Sequence, residues 1–247
     1  MAIRNVALKT KSPDAPSRGG AGGGIELYLK RIFALMFGAV AVTALASYIT
    51  MATPLWTMLF TQTGLSALYY ILLFGGLALA IWAQVRAFSF KPSTGGLMLF
   101  LYAILTGIVM TPLLLVAITS NPYTILSAFV IAAVMFACMA LFGYKTVKDL
   151  SFLGIFLFMG MIGLILVGLA SFIWPAIVGG TFGTIVCFIG VLVFALFTAY
   201  DMQNLKRAYA VMGDGTQKNQ LAVLGALHLY ISFIAMYQYL LSLLNRN

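Results

Sequence analysis

Seven long runs of apolar residues, none containing Asp, Glu, Lys or Arg, dominate the pattern of the chain. Each is long enough for a helix to cross a hydrocarbon layer of about 30 Å, which takes roughly 17–25 residues. A membrane-spanning barrel strand would instead alternate polar and apolar residues over about ten positions. We therefore predict an all-α membrane protein with seven transmembrane helices, over residues 32–52, 67–85, 96–117, 124–143, 152–174, 182–200 and 221–244.

The composition supports this prediction. Of 247 residues, 63% are hydrophobic and 8% are charged, and the mean hydropathy is +1.06. Soluble domains carry about 25% charged residues, and no soluble fold of this size could hide so much apolar surface from water. We expect one transmembrane domain over residues 25–247. Residues 1–24, rich in Gly, Ser and Pro, are expected to form a flexible cytoplasmic tail.

The basic residues predict the orientation of the chain. All but one of the 14 Lys and Arg residues precede the first predicted helix or lie in alternate loops, and only Arg246 breaks the pattern. Such residues stay on the cytoplasmic side, so we expect a multi-pass membrane protein with its N-terminus inside. The net charge of +9 then orients the chain against anionic lipid headgroups. Nucleic-acid binding has no support.

Enzymatic activity is not expected. His228 and Ser232 lie on adjacent helical turns, but no Gly-x-Ser-x-Gly element or oxyanion donor accompanies them. Asp201 and Asp214 only faintly resemble the paired carboxylates of intramembrane aspartyl proteases, because Asp214 lies in a polar turn between two predicted helices. No phosphate-cradling loop or metal-binding cysteine spacing is present, so no cofactor is expected.

Asp201 and His228 are the ionisable residues of interest, because placing a charge in a membrane is costly. Asp201 follows the sixth apolar run and is either an interfacial partner of nearby basic residues, such as Arg86, or a carboxylate that binds a cation or proton. His228, the only histidine, is either an interhelical hydrogen-bonding residue or a titrating partner of Asp201. An imidazole ordinarily titrates near pH ~6.5.

Several segments of the sequence carry a family resemblance. They are FLYAILTG at 100–107, FGYKTVKDLS at 142–151, FLFMG at 156–160, YDMQ at 200–203 and ALHLY at 226–230. In combination they closely resemble the Bax inhibitor 1 family in its bacterial form, from the first predicted helix to the last. The resemblance implies a seven-helix fold in which the last helix is central and the other six surround it.

The resemblance also implies a function and a site. Members of this family are implicated as pH-sensitive calcium leaks that use a pair of aspartates in the sixth and seventh helices. The first aspartate maps onto Asp201, and the second maps onto Ser232. A carboxylate with a hydroxyl is a poorer Ca²⁺ site than two carboxylates, so any calcium site at Asp201 is expected to be weak. We expect His228, one turn from Ser232 and nearer to the level of Asp201, to supply the missing titrating group, with Arg86 as a more distant participant.

Two alternatives to a pH-sensitive calcium or cation leak remain. Some bacterial relatives restrain a membrane-anchored quality-control protease, and the basic tail 1–24 suits that role. The loss of the second aspartate is also consistent with a protein that no longer transports ions. The sequence gives no oligomeric state and does not identify the ion.

Overall fold

The computed structural model describes residues 20–61, 64–86, 91–174, 179–211 and 215–246. Within these residues the chain forms seven long α-helices, joined by short connections. The helices are α1 (Gly20–Ala52), α2 (Ala67–Val85), α3 (Pro92–Ser120), α4 (Tyr123–Lys145), α5 (Ser151–Ile173), α6 (Gly180–Val211) and α7 (Gly215–Leu244). This architecture confirms the predicted all-α fold class.

The connection between α1 and α2 has structure of its own. A short 3-10 helix over Pro54–Leu59 leads into two antiparallel strands, β1 (Phe60–Thr61) and β2 (Gly64–Leu65). Ser66 is the N-cap residue of α2, and its Oγ accepts a hydrogen bond from the backbone N–H of Tyr69 at 3.3 Å. Such an N-cap satisfies a backbone donor that has no partner within the helix.

All seven predicted transmembrane helices are present in the described part of the chain. The candidate membrane spans contain 19 to 32 residues, and each is apolar enough to cross a bilayer. Several helices are longer than their apolar runs; α6 continues past residue 200 to Val211. The length of an apolar run corresponds to the thickness of the hydrocarbon layer, whereas the hydrogen bonding of the helix continues into the headgroup region. At the N-terminus α1 begins at Gly20 and overlaps the predicted tail, of which residues 1–19 lie outside the described residues.

The last helix is the most enclosed. In α7, 72% of the most apolar stretch is buried, against 11% to 44% in the other six spans. It also has the lowest mean hydropathy of the seven, 1.6. This combination is expected in lipid, where polar side chains face other helices and the most apolar surfaces face the acyl chains.

Four helices pack extensively against α7, namely α1, α3, α4 and α6. Of the other two, α2 packs mainly on α3 and α5 mainly on α6. The expected arrangement, in which all six helices surround the last one, is therefore not confirmed to that extent. The outward face of α5 is covered with large apolar side chains such as Phe152 and Ile155, as a helix facing lipid requires.

Buried hydroxyl groups join α7 to α1 and α3. The phenol oxygen of Tyr230 lies 2.6 Å from Thr43 Oγ1, and Thr43 Oγ1 lies 3.1 Å from the backbone carbonyl of Ala103. The ring of Tyr102 meets that of Tyr230 edge-on, with centroids 5.8 Å apart. Hydrogen bonds of this kind fix the relative rotation of membrane helices.

Candidate functional site

Close contacts fix the register between α6 and α7. Cys187 Sγ donates a hydrogen bond to Ser242 Oγ at 3.5 Å near one end of the pair. Near the other end, the side chain of Leu205 lies against Gly225. The residue numbers rise on one helix as they fall on the other, so the two helices run antiparallel. This register brings Asp201 to about the level of His228 and Leu229, one helical turn from Ser232.

Asp201 and Ser232 form a hydrogen-bonded pair between α6 and α7. Ser232 Oγ donates to Asp201 Oδ2 at 3.4 Å, and Ser232 is only 3% exposed. Asp201 lies ten residues before the end of α6 at Val211, so it is not a helix-capping residue. The two positions that the family resemblance assigns to a pair of aspartates are therefore neighbours in this structure.

His228 has a different partner from the one expected. Its Nε2 lies 3.2 Å from Gln84 Oε1 on α2, and no ion pair with Asp201 is present among the described residues. The register between α6 and α7 agrees with the expected level of His228, but the side chain that reaches Asp201 is that of Ser232. A titrating role for His228 stays a prediction, and any effect on Asp201 would pass through the packing of α7.

The basic residues near Asp201 are engaged elsewhere. Lys206 Nζ donates to the backbone carbonyl of Tyr144 at 2.9 Å, and Arg207 pairs with Asp149 at 2.7 Å. Arg86 is exposed at the end of α2. None of the ion pairs between described residues contains Asp201. The structure therefore does not support the interpretation of Asp201 as an interfacial partner of nearby basic residues.

Asp149 organises the loop between α4 and α5, with Arg207 as its basic partner. Its Oδ1 accepts hydrogen bonds from the hydroxyl and the backbone N–H of Ser151 at 2.6 and 2.9 Å. These hydrogen bonds, together with the one from Arg207, hold the pKa of Asp149 well below its usual range. A lowered pKa stabilises the fold at higher pH, and this contribution is lost only as the pH falls through the lowered value. Asp149 therefore stays ionised between about pH 5 and 8 and is not a pH sensor in that interval.

Two tight contacts flank the Asp201–Ser232 pair along the interface between α6 and α7. Toward the basic end, a Cβ at Gly225 would lie 2.5 Å from Leu205 Cδ2. Toward the other end, the ring of Tyr239 covers Gly190 and stacks on Phe194 with centroids 6.0 Å apart. The interface between α6 and α7 is thus closely packed on both sides of the pair.

The donor set at Asp201 can hold a cation only weakly. Ca²⁺ takes 6–8 oxygen ligands and gains affinity from each carboxylate, whereas this pair supplies one carboxylate and one hydroxyl. In the described part of the chain, no three His, Cys, Asp or Glu side chains converge on a metal-sized site. An ion at Asp201 would therefore keep most of its water ligands.

Gln203 was not singled out from the sequence, and it anchors the loop between α4 and α5 beside the site. Its Oε1 accepts from the N–H of Leu150 at 2.9 Å and its Nε2 donates to the carbonyl of Lys148 at 2.8 Å. Gln203 is 4% exposed. A buried amide two residues after Asp201 is a usable sequence signal, because a buried polar side chain needs partners.

We expect Gln203→Ala to destabilise the protein by about 1–3 kcal/mol, because the substitution leaves two backbone groups of the loop without their partners. Thermal unfolding of the purified protein in detergent measures the effect. Asn204→Ala, at the neighbouring half-buried position, is the control. Equal melting temperatures for the two variants would contradict the anchoring role.

Comparison with known proteins extends over nearly the whole chain. Residues 25–247 match the model of a family described as "Inhibitor of apoptosis-promoting Bax1". The chain is 32% identical over 222 residues to "Inner membrane protein YbhL" of Escherichia coli strain K12, covering 88% of this chain and 91% of that one. It is 31% identical over 233 residues to an uncharacterised protein of Caulobacter vibrioides, covering 91% of this chain and 90% of that one. A Borreliella burgdorferi protein is 29% identical over 220 residues, covering 89% of this chain and 91% of its own.

Proposed function

The chain belongs to the family of inhibitors of apoptosis-promoting Bax1, and on that premise we propose that it is a pH-sensitive leak for calcium or a similar cation. In this proposal the carboxylate of Asp201 binds the cation or the proton. The observation that carries the proposal is the hydrogen bond between Ser232 and Asp201. It places the only ionisable side chain of this pair inside the interface of the two helices that the resemblance implicates.

The proposed conduction step is an opening between α6 and α7. In the proposed closed state, the packing of Leu205 on Gly225 and of Tyr239 on Gly190 holds α6 and α7 together on either side of Asp201. When Asp201 is ionised, its buried charge favours water and a counter-cation in the interface. When Asp201 is protonated, the neutral pair needs neither, and the helices close on each other. Weak binding by one carboxylate suits conduction, because an ion must leave the site as readily as it enters.

The proposed setting is the bacterial inner membrane with the N-terminus in the cytoplasm. The printed name of the Escherichia coli relative places that protein in the inner membrane. All basic residues except Arg246 flank one side of the helices, which supports a cytoplasmic N-terminus.

Asp201→Asn is expected to reduce calcium flux in proteoliposomes at least about tenfold at neutral pH and to remove its pH dependence. The amide is nearly isosteric with the carboxyl group and still accepts the hydrogen bond from Ser232, so the fold should be retained. Asp149→Asn, at an exposed aspartate, should leave the pH profile unchanged. His228→Ala tests the second titrating group, and an unaltered pH profile would eliminate it. Unchanged flux in Asp201→Asn at every pH would refute the site.

A second candidate function is restraint of a membrane-anchored quality-control protease. The observation in its favour is the basic N-terminal segment, with Arg4, Lys9, Lys11 and Arg18 preceding the first helix. Such a regulator needs an exposed surface and no conducting path. Absence of flux from the wild-type protein at every pH would favour this function over the leak.

A further inference from the structure

A groove with two adjoining compartments runs between α1 and α4. Both helices pack on α7, and they make no extensive contact with each other among the described residues. The groove has a wide compartment of about 770 Å³ and a narrower one of about 370 Å³. Val40, Phe129 and Phe233 line both compartments, so the two compartments adjoin each other.

The groove spans the whole hydrocarbon layer. Along α1 its lining runs from Ile25 in the wide compartment to Met51 in the narrow one, a length of about 39 Å at 1.5 Å per residue. The hydrocarbon layer is about 30 Å thick. The lining is almost entirely apolar, and its open side faces the surrounding lipid.

The size of the groove favours an acyl chain over a helix. A polymethylene chain is about 4–5 Å wide, from carbon contacts of 3.5–4.0 Å, and fills roughly 200–300 Å³ over half of the bilayer. The wide compartment therefore accepts the two chains of one phospholipid. A helix 10–12 Å wide fills about 1,200–1,700 Å³ over the same depth and would leave much of its volume outside.

The charged side chains at the wide end of the groove favour an anionic lipid headgroup. Glu26 lines this end, but Lys30 neutralises it through an ion pair of 2.8 Å. Tyr144 also lines it, with Lys206 Nζ 4.9 Å from its ring centroid and the exposed Lys145 next along the chain. Lys206 therefore lies beside the wide end of the groove, Lys145 follows at the end of α4, and neither has an acidic partner among the described ion pairs. Lysines at a membrane surface attract anionic phosphate.

We propose that the groove between α1 and α4 binds one anionic phospholipid, with its acyl chains in the wide compartment and its phosphate beside Lys145 and Lys206. This site opens on the outer surface of the bundle, and Phe233 and Met202 form part of its lining. It does not require that the protein conduct ions.

A substitution that fills the groove tests the proposal. Ala137 lines the wide compartment and is exposed, so Ala137→Trp should be tolerated by the fold and should occupy the space of the acyl chain. Val134→Trp is the matched control, because Val134 is 58% exposed on the same helix and does not line either compartment. Ala133→Leu, which fills the groove less, serves if Ala137→Trp fails to fold.

The measurement is native mass spectrometry of the full-length protein in detergent, titrated with phosphatidylglycerol or with phosphatidylcholine of the same acyl chains. We expect one tightly retained phosphatidylglycerol per chain in the wild type and in Val134→Trp. Ala137→Trp should bind about tenfold more weakly, the effect of displacing about two methylene groups. Lys145→Gln should weaken phosphatidylglycerol binding about fivefold, whereas Lys91→Gln should not.

Several results would overturn the lipid site. Equal retention of the two lipids by the wild type would exclude recognition of the headgroup. Equal binding by Ala137→Trp and Val134→Trp would exclude the groove. A dimer that Ala137→Trp dissociates would show that the groove is covered by a second copy of the chain.

Discussion

Ser232→Asp is expected to raise calcium flux through the protein at least about tenfold at neutral pH, because affinity for Ca²⁺ grows with the number of carboxylates at a site. Ser232 Oγ already lies 3.4 Å from Asp201 Oδ2, so the new carboxylate would face the existing one across the interface between α6 and α7. Two carboxylates this close both remain ionised only if a cation binds between them, and otherwise they share a proton. Flux should therefore become steeply dependent on pH.

The control for this gain is Ser232→Asn, which has the same shape as the aspartate and no charge. Both variants are assayed by calcium uptake into proteoliposomes over a range of pH, with protein incorporation measured for each. At low pH, where the carboxylates are protonated, the two variants should converge. Equal flux at neutral pH would mean that charge at position 232 does not govern conduction.

Gly143→Ala is expected to destabilise the protein by about 2–4 kcal/mol, because α4 and α6 touch backbone to backbone at this position. A Cβ at Gly143 would overlap the carbonyl oxygen of Ala199 and lie 2.7 Å from its Cα. The neighbouring atoms are backbone and cannot move without displacing a helix. Since Ala199 lies two residues before Asp201, the substitution should also shift the site.

Thermal unfolding in detergent measures this loss, and Gly163→Ala on α5 is its control. A Cβ at Gly163 meets no atom within 4 Å, and alanine favours a helix over glycine by about 0.5–1 kcal/mol. Gly163→Ala should therefore melt at the same temperature as the wild type or slightly above it. If Gly143→Ala melts no lower than Gly163→Ala, α4 and α6 are not in close contact.

The sequence predicted the seven helices because a membrane imposes a local rule. Each helix must present about 20 apolar residues to lipid, and this requirement is visible in any stretch of the chain without knowledge of its neighbours. The ends of the helices were less predictable. The helix α6 reaches Val211 and α1 starts at Gly20, since hydrogen bonding within a helix does not stop where the hydrocarbon layer does.

The candidate residues of the site were identifiable in the same local way. Asp201 and His228 are conspicuous because ionisable groups are costly near a membrane interior, and the family resemblance singled out Ser232. Gln203 and Gly143 were not singled out. A glutamine just after an apolar run and a glycine within one are common, and only their contacts distinguish them.

The sequence by itself determined the class of protein, the number of transmembrane helices and the side of the membrane on which the basic residues lie. It also identified the ionisable residues that could form a site. Only the tertiary structure decided which of them meet. Asp201 lies against Ser232 and His228 lies against Gln84, because α7 presents these two side chains to different helices, Ser232 to α6 and His228 to α2. The apolar pattern of α7 does not specify this rotation. Hydrophobicity places a helix in the membrane, whereas the packing of side chains between helices sets its rotation and its level.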